Sequence, residues 1–193
     1  LQFFYSKGGR KFLENFKQDF WLDLKINDIP QTALSAVDSL KDLKRCKYIT
    51  VHANGGLNML KAIKKKTKSI NKSLKVFGVT ILTSLNNKSL KEMGYTKSVE
   101  QLVLKQANLI KKSGCDGIVC SAQEARTVRK KFKNLFIVTP GIRLPGDSTN
   151  DQSRIMTPNE AFKNKVSGVV MGRSLIKGNI KRNIQILVDH LSR

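Results

Sequence analysis

Three charged residues that lie close together could do chemistry: Asp23, Lys25 and Asp28. Their neighbours alternate between apolar and polar, a pattern typical of a β-strand with two different faces. On such a strand Leu22 and Leu24 share one face, while Asp23 and Lys25 share the other. A structural ion pair is one interpretation of this arrangement. Because buried charges are costly unless they are paired, three charges at a strand end favour the other interpretation, a preorganised electrostatic site.

Short β-rich segments alternate with longer helical patterns along the whole chain. We predict strands at residues 20–26, 48–52, 74–82, 117–120, 135–139 and 168–171. We predict helices at residues 8–16, 31–43, 57–69, 99–113, 122–131, 158–163 and 179–192. Helical crossovers of this length join parallel strands, and no G-x-G-x-x-G turn follows any strand, as a dinucleotide fold would require. The prediction is an α/β protein, a (β/α)8 TIM barrel that forms one domain over residues 1–193.

The number of predicted strands falls short of a complete barrel of this class, which has eight. The chain also opens in or next to a helix, without a strand before it. We therefore expect the first strand-helix unit and the second strand to be missing from this chain. Unpaired strand edges and an open core would then leave the fragment inactive by itself.

The chain is strongly basic, because 36 Lys and Arg residues against 14 Asp and Glu residues give a formal net charge of +22. Such a charge is typical of nucleic-acid-binding proteins, and a Lys-rich RNA-binding protein is one alternative function. However, the lysines recur in every predicted helix and do not interleave with aromatic stacking residues. We therefore interpret them as a solvated surface and expect no nucleic-acid partner.

Other features of the composition exclude further classes of protein. No apolar run reaches the roughly 18 residues of a transmembrane helix, so we expect no membrane association and a cytoplasmic location. Three cysteines and two histidines lack the spacing of metal ligands, so we predict no bound metal. We expect His52 to be an interior hydrogen-bonding residue.

The stretch DLKINDIPQT at residues 23–32 resembles the D-x-K-x-x-D-I-P-x-T signature of the orotidine 5′-phosphate decarboxylases. Further segments similar to that family follow in the family's order and span essentially the whole chain. They are VHANGG at 51–56, VTILTS at 79–84, VCSAQEA at 119–125, VTPGIR at 138–143, DQSRIMTP at 151–158 and GR at 172–173. Any one of these strings is weak evidence, but their common order makes the resemblance specific.

The resemblance implies a homodimer that converts orotidine 5′-monophosphate (OMP) to UMP and CO2, the last step of de novo pyrimidine nucleotide biosynthesis, without metal or other cofactor. It implies that Lys25 donates the proton to C6 of the pyrimidine. Asp23 would lie beside the substrate carboxylate, and Asp28 would reach into the partner's active site. The implied substrate-binding residues are Thr32 and Thr83 at the nucleotide, and Arg143, Gln152, Gly172 and Arg173 at the phosphate.

The sequence departs from the family at two points, and one other enzyme family shares part of its motif. The family has an earlier strand that ends in a ribose-binding Asp and a second strand that carries another catalytic Lys, and neither is present here. A magnesium-dependent sugar-phosphate decarboxylase or aldolase shares the D-x-K-x-x-D motif and is the alternative enzyme. The continuation Ile29 to Thr32 and the segment 151–154 favour the OMP enzyme. The polar stretch 144–151 matches the family's lid over the phosphate.

Overall fold

The computed structural model describes residues 2–146 and 155–192, in which six strands alternate with α-helices. The strands are β1 (Phe20–Ile26), β2 (Cys46–His52), β3 (Lys75–Val79), β4 (Gly117–Val119), β5 (Phe136–Thr139) and β6 (Gly168–Val169). The helices are α1 (Gln2–Tyr5), α2 (Gly9–Glu14), α3 (Pro30–Asp38), α4 (Gly56–Ile70), α5 (Asn87–Glu92), α6 (Val99–Ser113), α7 (Ala122–Lys131), α8 (Pro158–Lys163), α9 (Arg173–Ile176) and α10 (Ile180–Leu191). A short 3₁₀ helix at Ala53–Gly55 follows β2.

Each predicted strand and helix overlaps an observed one, but several bounds differ. Strand β2 begins two residues before the predicted start, and β6 ends at Val169, two residues before the predicted end. The bounds of β1, α6, α7 and α8 are as predicted. The prediction of a third strand to residue 82 is wrong beyond Val79. A turn that the bond from Leu85 N–H to Leu82 O closes follows at residues 82–85. The prediction of a helix to residue 43 is wrong beyond Asp38, because the chain continues there in short i to i−3 turns. The sequence patterns do not predict the short helices α1, α5 and α9.

The described residues pack into two compact units, which lie within 1–79 with 106–117 and within 80–105 with 118–193. In the first unit β1, β2 and β3 are parallel neighbours in that order. An aromatic cluster connects them: Trp21 stacks on Tyr48 with 5.2 Å between ring centroids and contacts Phe77 at 4.8 Å. Such ring pairs stabilise cross-strand pairing beyond the area they bury.

Helix α4 covers one face of this sheet with a stripe at helical spacing, and the buried members of that stripe include Met59, Ile63 and Thr67. At Gly78 in β3 the strand backbone lies close to the side chain of Ile110. A Cβ atom there would lie 2.3 Å from Cγ1 of Ile110, so the packing of α6 requires glycine at this position.

In the second unit β5 and β6 are parallel, and Thr139 pairs with Val169. Its core includes the buried side chains of Ile118, Ile137 and Ala161. Helix starts are specified by side chains: Ser121 caps α7, and Thr157 and Glu160 form a capping box at α8. None of the helices in the described part of the chain has the length and apolarity that a membrane crossing requires.

Candidate active site

The carboxyl-terminal half of β1 departs from regular strand geometry. Between the paired positions Leu22 and Ile26, β1 contains three residues, whereas β2 has only Thr50 between the matching positions. Lys25 completes this bulge with φ of 54°, in the left-handed region that residues other than glycine rarely adopt. Bulges re-aim side chains next to active sites, and this one sets both Asp23 and Lys25 opposite Thr50.

Within the bulge the structure brings Asp23 and Lys25 together as an ion pair. Lys25 Nζ lies 2.5 Å from Asp23 Oδ2, and Asp23 Oδ1 accepts a hydrogen bond of 2.7 Å from the Thr50 hydroxyl. The side chain of Lys25 is 35% exposed and that of Asp23 is 50% exposed. An exposed pair adds little to stability. Here it leaves an anion and a cation side by side where a ligand can reach them.

Asp28 and Thr32 follow Lys25 at the start of α3, and both are exposed. The Asp28 carboxylate accepts a hydrogen bond of 2.7 Å from the backbone N–H of Ile29. Lys25, Asp28 and Thr32 line one cavity of about 310 Å³, together with Phe4, Tyr5, Leu24, Ile26, Asn27, Ala33, Ala36, Ser39 and Leu40. The structure therefore gathers three of the sequence-predicted residues at one cavity, and Asp23 is not part of its lining.

His52 ends β2, two residues after Thr50, so both side chains lie on the same face of the strand. Burial lowers the pKa of His52, the charge of Lys25 lowers it further, and Asp23 acts in the opposite direction. The imidazole is therefore neutral at neutral pH. Its Nδ1 is buried and has no hydrogen-bond partner among the described residues, so the expected interior hydrogen bond is not made at this atom.

In the second unit Arg143 is a buried cation, with 7% of its surface exposed. One guanidinium nitrogen donates to the carbonyl of Ile142 at 3.0 Å, and Nε has no partner among the described residues. The backbone N–H of Arg143 donates to Met156 O at 3.0 Å. This bond brings together the two ends of the intervening segment. A buried guanidinium with an unused N–H is suited to bind an anion.

The remaining predicted residues of the second unit lie in different environments. Gly172 and Arg173 are exposed at the start of α9, and a Cβ at Gly172 would meet nothing within 4 Å. Packing of the described residues thus does not require glycine there, whereas the approach of a ligand to the backbone would. Thr83 is buried in the turn after β3. Gln152 lies outside the described residues.

The sequence analysis missed Thr50. The signal was present, because Thr50 and His52 alternate on β2 and the motif on β1 needs polar partners across the strand pair.

As for metals, residues 2–146 and 155–192 contain no group of three or more His, Cys, Asp or Glu side chains that could hold an ion.

Comparison with known proteins supports the family resemblance. The chain is 40% identical to the orotidine 5′-phosphate decarboxylase of Coxiella burnetii over 177 residues, which are 89% of this chain and 75% of that protein. It is also 40% identical to the enzyme of that name from Buchnera aphidicola subsp. Acyrthosiphon pisum over 171 residues, 86% of this chain and 72% of that protein.

The structural comparison agrees with the sequence comparison. The crystal structure of orotidine 5′-phosphate decarboxylase from Lactobacillus acidophilus matches with a TM-score of 0.76 and 29% identity, over 91% of this chain and 76% of that chain. This likeness confirms the predicted fold class, an α/β protein of the TIM-barrel type. The profile of the family matches residues 1–183. The chain therefore belongs to the orotidine 5′-phosphate decarboxylase / HUMPS family.

Proposed function

We propose that this protein is an orotidine 5′-phosphate decarboxylase, a lyase that converts OMP to UMP and CO2 in pyrimidine nucleotide biosynthesis. The observation that carries the proposal is the accessible Asp23–Lys25 pair in the β1 bulge, within the DLKINDIPQT stretch. The 40% identical relatives, which are named orotidine 5′-phosphate decarboxylases, support the same substrate.

Lys25 has the position and chemistry of the proton donor in this reaction. When the bond between C6 and the carboxylate breaks, CO2 leaves and the electron pair remains at C6 of the pyrimidine. The Lys25 ammonium gives a proton to that carbon and later regains one from solvent. Its positive charge also stabilises the negative charge that develops at C6, without reorganisation of water.

Asp23 has two roles in the proposal. Its Oδ2 holds the Lys25 ammonium at 2.5 Å and so orients the donor before substrate arrives. It would also lie beside the substrate carboxylate, where its charge repels that group and favours its departure as neutral CO2. The exposed side chain of Asp23 leaves room for a substrate at this side.

The phosphate-binding role belongs to Arg143, Gln152, Gly172 and Arg173. The buried guanidinium of Arg143 supports it, because an unused N–H in a desolvated position gains most from a phosphate oxygen. Thr32 and Thr83 would contact the nucleotide through their hydroxyl groups. Binding energy from the distant phosphate can then contribute to the chemical step.

We further propose that the enzyme is a homodimer in which Asp28 reaches the active site of the partner subunit. Ile29 supports this, because a side chain that is 67% exposed beside an exposed carboxylate is suited to a subunit contact. We also propose a cytoplasmic location. The three free, buried cysteines are compatible with a reducing compartment.

The enzyme rival is the magnesium-dependent sugar-phosphate decarboxylase or aldolase. We propose instead that no metal or cofactor takes part, because the Lys25 ammonium already neutralises the Asp23 carboxylate at 2.5 Å. A magnesium ion at Asp23 would lie next to the Lys25 ammonium, and the repulsion between the two positive charges would weaken its binding.

The test is conversion of OMP to UMP and CO2 by the full-length protein in the presence of EDTA. We expect full activity with the chelator, and loss of activity that magnesium restores would favour the rival. Lys25→Ala should abolish turnover, while Lys61→Ala, which removes an exposed lysine of α4, should not. A salt-sensitive shift of RNA at micromolar protein, without turnover of OMP, would favour the RNA-binding alternative.

A further inference from the structure

Thr50 of β2 makes two side-chain hydrogen bonds to the bulge of β1. Its side chain is buried, with 1% of the residue exposed. Its hydroxyl oxygen accepts a hydrogen bond of 2.9 Å from the backbone N–H of Lys25, and its O–H donates to Asp23 Oδ1 at 2.7 Å. A hydroxyl has a single hydrogen to donate, so this donor is committed to Asp23.

Both contacts act on features that need support. Lys25 has φ of 54°, a conformation that is disfavoured for lysine and persists only where the surroundings hold it. The bond to its N–H fixes the backbone at this residue. The bond to Asp23 Oδ1 fixes the rotation of the carboxylate, which leaves Oδ2 facing the Lys25 ammonium.

We infer that Thr50 is a positioning residue for the decarboxylation: its hydroxyl holds Lys25 and Asp23 in their working geometry without touching the reacting atoms. This inference rests on the proposed function. Thr50 lies outside the D-x-K-x-x-D segment, 25 residues from Lys25, and only the pairing of β1 with β2 brings it there.

A purely structural role is the competing explanation, and the nature of the two bonds argues against it. A buried threonine commonly bonds to a nearby backbone carbonyl, as Thr67 does with Lys64 O at 3.0 Å. Thr50 instead bonds to the backbone of one reacting residue and the carboxylate of the other. A small error in the position of a proton donor lowers the rate strongly, even when binding is preserved.

The experiment compares Thr50→Val, which keeps the shape and removes the hydroxyl, with Thr50→Ser, which keeps the hydroxyl. We would measure kcat and KM for OMP, the stoichiometry and Kd of UMP binding, and the melting temperature of each full-length variant. Thr67→Val is the matched control, because it removes a buried hydroxyl that has no contact with the site.

For Thr50→Val we expect kcat to fall by about 10- to 100-fold, the range for loss of a hydrogen bond to a charged group. KM and the Kd of UMP should stay within about threefold, because Thr50 positions the proton donor without touching the bound nucleotide. The values of kcat and kcat/KM should therefore fall together. Thr50→Ser should stay within about threefold of the wild type in kcat. Thr67→Val should leave kcat unchanged per folded enzyme.

The outcomes separate the inference from the proposed function. A wild-type protein that does not convert OMP contradicts the proposed function, whatever the variants do. An active wild type with an equally active Thr50→Val contradicts only the positioning role. A fall in rate that equals the fall in the number of UMP-binding sites also contradicts it, because the rate per folded enzyme is then unchanged. If Thr50→Val does not fold, Thr50→Ala takes its place, and kcat equal to that of Thr50→Ser would overturn the inference.

Discussion

Among the Asp–Lys pairs of the first unit, Asp23–Lys25 and Asp116–Lys64 have the same chemistry in opposite environments. Asp23 and Lys25 sit towards the carboxyl end of β1 with side chains 50% and 35% exposed, whereas Asp116 and Lys64 are 20% and 9% exposed. The carboxylate of Asp116 also accepts a bond of 2.8 Å from Val76 N–H, at the start of β3. In barrel proteins the carboxyl ends of strands carry the chemistry and the amino ends carry stability.

The comparison shows that burial and neighbouring groups decide whether such a pair serves stability or activity. Asp116 anchors the start of a strand and compensates a buried lysine, so its partners are all parts of the fold. Asp23 has a buried threonine on one side and space for a ligand on the other. The pair at Asp116 should therefore control stability, and the pair at Asp23 should control activity.

The largest expected effect follows from breaking the exposed pair at Lys25. Lys25→Ala should lower kcat by at least about 10³-fold, because a general acid contributes roughly 10²- to 10⁴-fold and this residue also supplies electrostatic stabilisation. The melting temperature and the affinity for UMP should change little. Steady-state kinetics and calorimetric titration with UMP measure the two effects. A variant that retains a tenth of the wild-type kcat would contradict the assigned role.

Breaking the buried pair should have the opposite profile. Asp116→Ala leaves the Lys64 ammonium and the N–H of Val76 without their partner, and we expect a loss of about 3–5 kcal/mol in the free energy of unfolding. Urea unfolding measures this loss. Asp19→Ala is the control, because Asp19 pairs with Arg45 at 3.5 Å on the surface and should matter by less than about 1 kcal/mol. Equal losses in the free energy of unfolding of the two variants would contradict the distinction between buried and exposed pairs.

A smaller effect is expected when the buried charges are removed together. In Lys64→Met with Asp116→Asn the amide oxygen can still accept from Val76 N–H, and no buried ion remains unpaired. Lys75, which pairs with Asp116 at 3.6 Å, has a half-exposed side chain that water can solvate. Replacing both ions is often neutral or stabilising, so this variant should recover at least about 2 kcal/mol relative to Asp116→Ala. Urea unfolding of the two variants side by side tests this. No recovery would show that the ion pair itself stabilises the unit.

The smallest effect concerns pH and His52, which neighbours the exposed pair. Because burial and Lys25 lower the pKa of His52 in the folded protein, the unfolded chain binds the proton more readily. Stability from this residue is therefore present above the ordinary histidine pKa of about 6.5 and decreases as pH falls below it, towards the lowered folded pKa. His52→Asn should reduce the pH dependence of unfolding in this window. If the pH dependence of unfolding is the same in His52→Asn, groups other than His52 cause it.

Local patterns predicted the elements whose signals lie within one segment. Alternation set the bounds of β1, and helical periodicity set those of α6 and α7. The six-residue helix α5 was missed, although Asn86 accepts from Ser89 N–H at its start. Side-chain capping acts over three residues and leaves no periodic trace.

Within the site, sequence alone determined the residue types and their order, and hence the family. Asp23, Lys25 and Asp28 are readable because chemistry requires those groups at that spacing. The tertiary structure decided what surrounds them: the bulge, the left-handed backbone at Lys25 and the hydroxyl of Thr50 beneath both charges. The physical reason is that register between strands is a long-range property, fixed by packing of whole faces and not by any single segment.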